Sequence, residues 1–483
     1  MSEETAELNV LERIMSEGKL ARDETQEAYA RDLLEEFIAS VAEEGATAPA
    51  TTVALIEQKI GEIDALLTAQ LDEILHHEDF KKLEATWRGL HYLVMHTETG
   101  EMLKLRVFNA KPDELRKDFA KAVEFDQSTL FKLIYEEEYG TFGGAPYSAL
   151  VIDYEFGRTN PDMDLLEGLA AVAAAAHAPL LTAASPRLFD MDSYIGLGAP
   201  RDLSKIFESA ELIRWRAFRD SEDSRYVALT LPHILLRLPY GKNSIPVEGI
   251  DYEEDVDGAE HDKFLWGNAA WALAERVTNA FSLYKWTAAI RGVEGGGLVE
   301  GLPVHTFKTD DGDIALKCPT EIAVTDRREN ELSRLGFISL CHCKGTDKAA
   351  FFGGQTVQKP RKYNTDFANA NASLSARLPY VLNASRFAHY LKAIMRDKIG
   401  SFMTAANVEQ YLNTWIANYV LLTDDAPQAT KARFPLREAR VDVREIPGRP
   451  GSYNATVFLR PHFQLEELTA SIRLVSALPP PAA

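Results

Sequence analysis

Cysteine is scarce in this chain: Cys318, Cys341 and Cys343 are its three thiols in 483 residues. That is too few to staple a protein of this size, so stability has to come from buried apolar side chains rather than a disulfide framework. Also missing is any unbroken apolar run of about eighteen residues, the least that a membrane-crossing helix needs. The opening MSEETAELNV is acidic where a secretory leader carries positive charge and then an apolar stretch. Together these lacks predict a cytoplasmic protein with reduced thiols and no membrane insertion. Positive charge is in deficit as well, 52 Lys and Arg against 73 Asp and Glu, a net of −21. Such a balance opposes binding to a phosphate backbone and excludes nucleic acid as a partner.

What is present suits a large globular protein. The length exceeds what one hydrophobic core serves, so two or more domains are expected. Charge is unevenly spread: residues 1–50 hold thirteen acidic and four basic side chains, residues 377–463 seven acidic and twelve basic. Solvated faces are the commoner use of such runs, but in an assembly the acidic end of one copy can sit near the basic surface of the next.

Periodicity divides the chain into three parts: an arm and linker over 1–60, a mixed α/β domain over 61–370, and helices with a β-hairpin and a terminal strand over 371–483. The arm holds a helical pattern at Ala28–Val41 and ends in the small residues Gly45–Thr52. Thr51 or Thr52 then caps a long helix with Leu55, Ile56, Ile60, Ile63, Leu67, Leu71, Ile74 and Leu75 on one side. In the next helix Phe80, Leu83, Trp87, Leu90 and Val94 form a stripe that wants a partner surface. A strand is expected at Lys104–Asn109, and after Pro112 a helix burying Leu115, Phe119 and Val123. From Ala149 short apolar runs (Ala149–Ile152, Pro179–Thr182, Tyr226–Leu238) alternate with helical patterns (Leu165–His177, Phe264–Arg291), the grammar of α/β packing. Pro303–Phe307, Ile314–Leu316 and Glu321–Thr325 read as short strands. Helices return at Asn369–Ile399 and Asn407–Leu422, with Phe387, Tyr390, Leu391, Ile394 and Met395 sharing a side. A hairpin follows from Ala439–Ile446 and Ala455–Leu459, then a last strand at Ser471–Leu478. The fold class is therefore mixed α/β (α+β).

No constellation of residues supports catalysis, a cofactor or a metal. The acidic run Asp251–Asp262 fails the calcium-loop spacing, because a start at Glu253 puts Gly258 sixth but Phe264 where the bidentate carboxylate belongs. Cys341, His342 and Cys343 lack a second zinc knuckle, and strand geometry sets His342 on the opposite face, so two inert buried thiols are expected. Gly292–Gly301 has the glycines of a phosphate loop without its Gly-Lys-Ser/Thr and follows a helix. The helical histidines His76, His77, His91 and His96 suit surface hydrogen bonds better than a metal or base role.

Five blocks carry a resemblance: Phe80–Val94 (FKKLEATWRGLHYLV), Arg291–Lys308 (RGVEGGGLVEGLPVHTFK), Cys318–Arg328 (CPTEIAVTDRR), Arg386–Ser401 (RFAHYLKAIMRDKIGS) and Leu459–Leu478 (LRPHFQLEELTASIRLVSAL). They resemble, in order, the large sheath subunit of the type VI secretion system, the TssC/VipB family. The resemblance implies a contractile tail-sheath-like fold with extended terminal arms, and a structural role rather than an enzyme's. Its implied partners are the small sheath subunit TssB/VipA, further copies of the chain in a helical polymer, the Hcp inner tube, baseplate components, and the ClpV ATPase acting on contracted sheath through the small subunit. In that family terminal extensions link neighbours as donated strands. The counterparts here are Leu8–Met15, with Leu8, Val10, Leu11, Ile14 and Met15 as contact candidates, and Ile472–Leu478, with Ile472, Leu474 and Val475. A sheath subunit of another contractile injection machine or phage-like tail is the near alternative, and a metal-dependent enzyme the distant one.

Overall fold

A computed structural model describes residues 26–43 and 52–464, apart from positions 243, 259, 309, 310, 402, 424 and 450. By contacts the chain divides into two groups, Met1–Ile74 with Tyr240–Glu254, and Leu75–Pro239 with Asp255–Ala483. The first holds helix α1 (Glu27–Glu43) and nearly all of α2 (Thr52–Leu75), both where hydrophobic spacing predicts helices. Polar contacts bind α2 to the segment Tyr240–Glu254: the Tyr252 hydroxyl donates to Asp72 at 2.7 Å and the Asp251 amide to Asp64 at 3.4 Å. Among the described side chains of α2, the apolar side does not form a core. Leu71 and Leu75 are half-buried, whereas Ile60, Ile63, Leu67 and Ile74 are exposed.

In the second group α3 (Glu78–Met95) begins where the His77 ring accepts the Asp79 amide at 3.2 Å. Here too the expected stripe faces outward. Phe80, Leu83, Trp87 and Val94 are exposed, Leu90 is half-buried, and the residues that α3 buries are Gly89 and Leu93. The cause is a close approach: a Cβ on Gly89 would lie 2.3 Å from the Trp271 indole. Asp153 fastens this contact, accepting the Thr86 hydroxyl at 2.6 Å and the Trp271 indole N–H at 3.1 Å. Lys104–Asn109 forms no strand. Helix α4 (Pro112–Lys121) starts on its proline, with the Lys111 amide donating to Glu114 at 2.8 Å. It buries Leu115 and half-buries Phe119, while Val123 lies past its end and is exposed.

The body is built from β1 (Leu150–Phe156), α5 (Asn160–Ala176), β2 (Leu180–Ala184), α6 (Ile213–Asp220), β3 (Val227–Leu231), β4 (Ile234–Arg237), β5 (Leu265–Gly267), α7 (Ala270–Tyr284), β6 (Leu298–Val299), β7 (His305–Lys308), β8 (Ile314–Lys317), α8 (Asp326–Arg334), β9 (Phe337–His342) and β10 (Ala349–Phe351). Six strands form one sheet in the order β1-β2-β3-β9-β10-β6, parallel through β9 and antiparallel beyond. Period-two alternation sends Leu180, Leu229 and Phe337 into one core, with Leu166 and Leu169 of α5 and Trp215 of α6. Leu181, Ala228, Ile338 and Leu340 enter the other, against Leu273 and Val277 of α7. Both faces are covered, as a parallel sheet requires.

Three expectations change here. The run Tyr226–Leu238 is two strands, because β4 leaves the main sheet after Pro232 to pair with β5. That pairing also delays the helix expected from Phe264, which starts at Ala270, and Lys285 in the left-handed region ends it before Trp286. Glu321–Thr325 forms no strand.

Three longer helices, α9 (Asp366–Ser375), α10 (Leu378–Asp397) and α11 (Ala405–Ala417), and a short one at Gln428–Arg433 precede the hairpin of β11 (Leu436–Glu445) and β12 (Tyr453–Pro461). Their core gathers Phe387 and Leu391 of α10, Leu412 and Ile416 of α11, and Val441 and Val443 of β11 around Trp286, whose ring stacks on Phe387 at 4.3 Å. Tyr390, Ile394 and Met395 pack against it, as their spacing predicts. Among the described residues no helix is long and apolar enough to cross a membrane. Because Trp271 occupies the space a side chain at position 89 would need, Gly89→Leu is expected to cost about 3 kcal/mol in denaturant unfolding, and Gly89→Ala about 1 kcal/mol or more.

Candidate functional site

The best-formed cluster of titratable groups lies where the end of β1, in the main sheet, meets the start of β4. The His233 ring touches two carboxylates, bonding Glu321 through Nδ1 and Glu155 through Nε2 at 2.7 Å. Glu321 is nearly enclosed and also takes His261 Nε2 at 3.2 Å and the Tyr194 amide at 2.8 Å. Burial alone would discharge His233, but Glu155 and Glu321 outweigh it and raise its pKa to about 10. Burial likewise works against the Glu321 carboxylate, yet hydrogen bonds from His233 and His261 hold its pKa near 2.

A histidine between two carboxylates could serve acid–base chemistry, but this one has no free ring nitrogen, and both Glu321 oxygens are engaged. The cluster is an internal clamp. It ties the loop after β8 to β1 and to the Tyr194 turn, so the block CPTEIAVTDRR acts as a structural fastener. Arg328 in the same block extends the clamp, donating to the carbonyls of Leu197 at 3.1 Å, Ala199 at 2.7 Å and Arg201 at 2.9 Å. Sequence reading missed Glu321 and His233 as partners. The resemblance block marks Glu321, but its partners His261, His233 and Tyr194 lie 60, 88 and 127 positions upstream.

The glycine-rich block is equally structural. Phe351 accepts the Gly292 amide at 2.7 Å and donates to Gly297 at 2.9 Å, pinning the turn to β10. Gly296 has φ +89° and its missing Cβ would meet the Ala289 carbonyl at 2.3 Å, so the turn needs glycine there. Cys341 is buried in β9, where burial raises its thiol to about 12, and Cys343 is half-buried just past the strand. Within the acidic run, Asp255 and Glu260 pair with Lys263 at 2.9 and 2.8 Å. His77 caps α3 and His96 bonds the Tyr92 carbonyl at 2.8 Å. Among the described residues no three His, Cys, Asp or Glu side chains are grouped to hold a metal.

An assembly surface is the remaining candidate, and the hairpin supplies one. The outer edge of β11 is capped by α11: Asn413 bonds both the amide and the carbonyl of Val441, at 3.0 and 2.7 Å, and Glu409 takes the Val443 amide at 2.8 Å. Apart from one bridge between Val420 and Leu436, neither outer edge of the hairpin pairs with another strand among the described residues. Where the chain leaves β12 it is fastened again, the Gln464 side chain donating to the Ala288 carbonyl at 2.8 Å and its amide to the Tyr380 hydroxyl at 3.2 Å. The sequence-derived contact candidates, Leu8, Val10, Leu11, Ile14 and Met15 and Ile472, Leu474 and Val475, lie outside the described residues.

The clamp carries a pH signature. Raised from an ordinary 6.5 to about 10, His233 adds stability that is whole below 6.5 and fades as pH climbs toward 10. Lowered from 4.5 to about 2, Glu321 adds stability that is whole above 4.5 and is lost as pH falls toward 2. Glu321→Gln, which leaves a buried imidazolium short of a partner, is expected to cost about 3 kcal/mol. Urea unfolding of both proteins across pH should show the gap largest between about 4.5 and 6.5 and shrinking on either side.

Comparison with known proteins agrees with a structural reading. The VipB family, described as EvpB/VC_A0108, tail sheath N-terminal domain, matches residues 57–358. Its companion, the tail sheath gpW/gp25-like domain, matches residues 367–478. The chain is 54% identical over 430 residues to the type VI secretion system sheath protein TssC1 of Pseudomonas aeruginosa, covering 88% of this chain and 86% of that protein. Looser likenesses are to the anti-feeding prophage baseplate (11% identity, 65% of this chain and 67% of the other, TM-score 0.36). Another is to the contracted sheath of the same prophage (10% identity, 78% and 99%, TM-score 0.27). By both family matches and by its identity to TssC1, the chain belongs to the TssC/VipB family of type VI secretion system sheath proteins.

Proposed function

We propose that this chain is the large building block of a contractile sheath, polymerising with a small TssB/VipA-type subunit around an Hcp tube and shortening to drive that tube outward. The family is structural and not enzymatic, so work has to come from repacking many subunits rather than from turnover. The observation that carries the linking step is the outer edge of β12, which pairs with no further strand among the described residues. An unpaired edge offers a row of backbone donors and acceptors to a strand from a neighbour. Leu8–Met15 and Ile472–Leu478 are the segments assigned to that role, with Leu8, Val10, Leu11, Ile14, Met15, Ile472, Leu474 and Val475 as the contacts. Backbone pairing through extended arms keeps copies attached while their bodies rotate.

The division into an arm (1–60), a first sheath domain (61–370) and a second (371–483) belongs to the same proposal, supported by family matches that part between 358 and 367. Charge adds a second attraction between the acidic residues 1–50 and the basic stretch 377–463. Part of the basic charge is already engaged, Arg440 with Asp442 at 2.9 Å and over the Phe458 ring at 4.7 Å. Baseplate components and a ClpV-type ATPase acting through the small subunit complete the expected partners, in the cytoplasm. The near alternative, another contractile machine or phage-like tail, loses ground to the 54% identity with a type VI sheath protein.

Co-expression with a small sheath subunit and negative-stain imaging test the reading. The intact chain should form long cylinders, and removal of residues 1–25 together with 465–483 should abolish them while leaving the folded body unchanged by circular dichroism. Cylinders that persist and still shorten after both truncations would falsify the strand-linking proposal. Assembly should also weaken as salt rises from about 0.05 to 0.5 M, because contacts between exposed charges are screened over that range.

A further inference from the structure

A buried polar seam joins the two stretches that the family domains match, residues 57–358 and 367–478. On the first side stand the end of α5 and the π-helical segment Lys132–Gly140, and on the second α10. His389 of α10 bonds the Ala176 carbonyl, the last of α5, through Nε2 at 2.9 Å, and Arg396 donates to the carbonyls of Thr141 and Tyr139 at 2.6 and 2.7 Å. Lys392 lies over the Tyr139 ring, 3.6 Å from its centre, and donates to the Tyr135 hydroxyl at 3.2 Å. His177 ends α5 in the left-handed region, bonds the Tyr226 hydroxyl at 3.0 Å, and sets its ring 6.4 Å from that of His389. A carbonyl only accepts, so the His389 proton sits on Nε2. The basic nitrogen is then Nδ1, which has no partner and is sealed in a residue only 3% exposed.

Charge around the two imidazoles is one-sided. Tyr139 and Tyr226 lie against their rings. The other ionisable groups that act on the histidines or on these tyrosines are Lys392, Arg386 and Arg396 of α10, Tyr135, and Asp223 and Arg225 of the turn before β3. Asp223 bears on Tyr226 and on neither histidine. Burial, with Arg386, His177 and Lys392, outweighs the Ala176 bond and holds the His389 pKa down to about 4, and burial with Lys392 lowers that of His177. His233 is the reverse case, since two carboxylates there favour its proton. The stability that a neutral His389 contributes is whole above 6.5 and is lost as pH falls toward about 4, whereas the Glu321 clamp stays whole down to 4.5. We propose that the seam is an acid-released latch: protons on His389 and His177 part α10 from α5 and the π-helical segment, uncoupling the second domain from the first, which its sheet and clamp keep folded. The latch is independent of the strand-linking proposal.

Peptide-resolved hydrogen exchange on the full-length chain, corrected for the intrinsic effect of pH, is the test. Between about pH 7.5 and 5.5, exchange in α10 and in Lys132–Gly140 should rise about tenfold while β2 and β3 stay unchanged. His389→Gln keeps a donor for the Ala176 carbonyl, His177→Asn suits both the left-handed region and the Tyr226 hydroxyl, and neither new side chain titrates. Together they should flatten the pH response, whereas lost hydrogen bonding alone would raise exchange equally at both pH values. Either substitution by itself should shrink the response, so the inference can be judged even where the double variant does not fold. Three outcomes overturn it: seam exchange indifferent to pH in the unsubstituted chain, exchange that rises as much in β2 and β3 as in the seam, or a full pH response that survives the substitutions.

Discussion

The burial of both faces of a short parallel sheet is the constraint on which the rest of this fold depends. All five residues of β2 and of β3 are enclosed, and the strands alternate their side chains between α5 and α6 on one side and α7 on the other. At about 25 cal/mol for each Å² of apolar surface removed from water, this layer is where most of the stability arises. The clamp around Glu321, the glycine turn at β10 and the Asp153 tie to α3 fix what surrounds the sheet. Those elements are small and polar, and each holds its place because the sheet beneath cannot move.

Elements whose environment is two-sided and local were legible from sequence. The apolar runs at β1 and β2, the helix between them, the proline start of α4, and the β11–β12 hairpin lie where spacing and turn residues put them. Reading failed where a distant partner decided. Tyr226–Leu238 is one hydrophobic run in sequence, but β4 pairs with β5, some thirty residues on, and leaves the sheet. The same pairing takes the first residues from α7. Lys104–Asn109 alternates correctly yet finds no neighbour to complete a ladder.

The two amphipathic helices show a different limit. Periodicity says that α2 and α3 each have an apolar side, and both do, but it does not say whether that side meets the protein's own core or another chain. On α3 the inward side is set by Gly89, whose lack of a side chain admits Trp271, an effect that no apolar count detects. In the same way the His233–Glu321 pair spans 88 positions and leaves no local pattern. Recognition of the sheath family rested on the wording of short blocks, and the structure shows why two of those blocks are so particular: one holds the clamp and the other a turn that only glycine can make.

The fastening at Gln464 fixes how tension travels. Tyr380 belongs to the helix that fills the third core, and Ala288 lies two residues after Trp286, the ring at that core's centre. A pull on the chain beyond the hairpin therefore meets these two hydrogen bonds before it reaches the ladder of β12 with β11. Peeling breaks ladder bonds one at a time from a free end, and an anchor at that end delays the first of them.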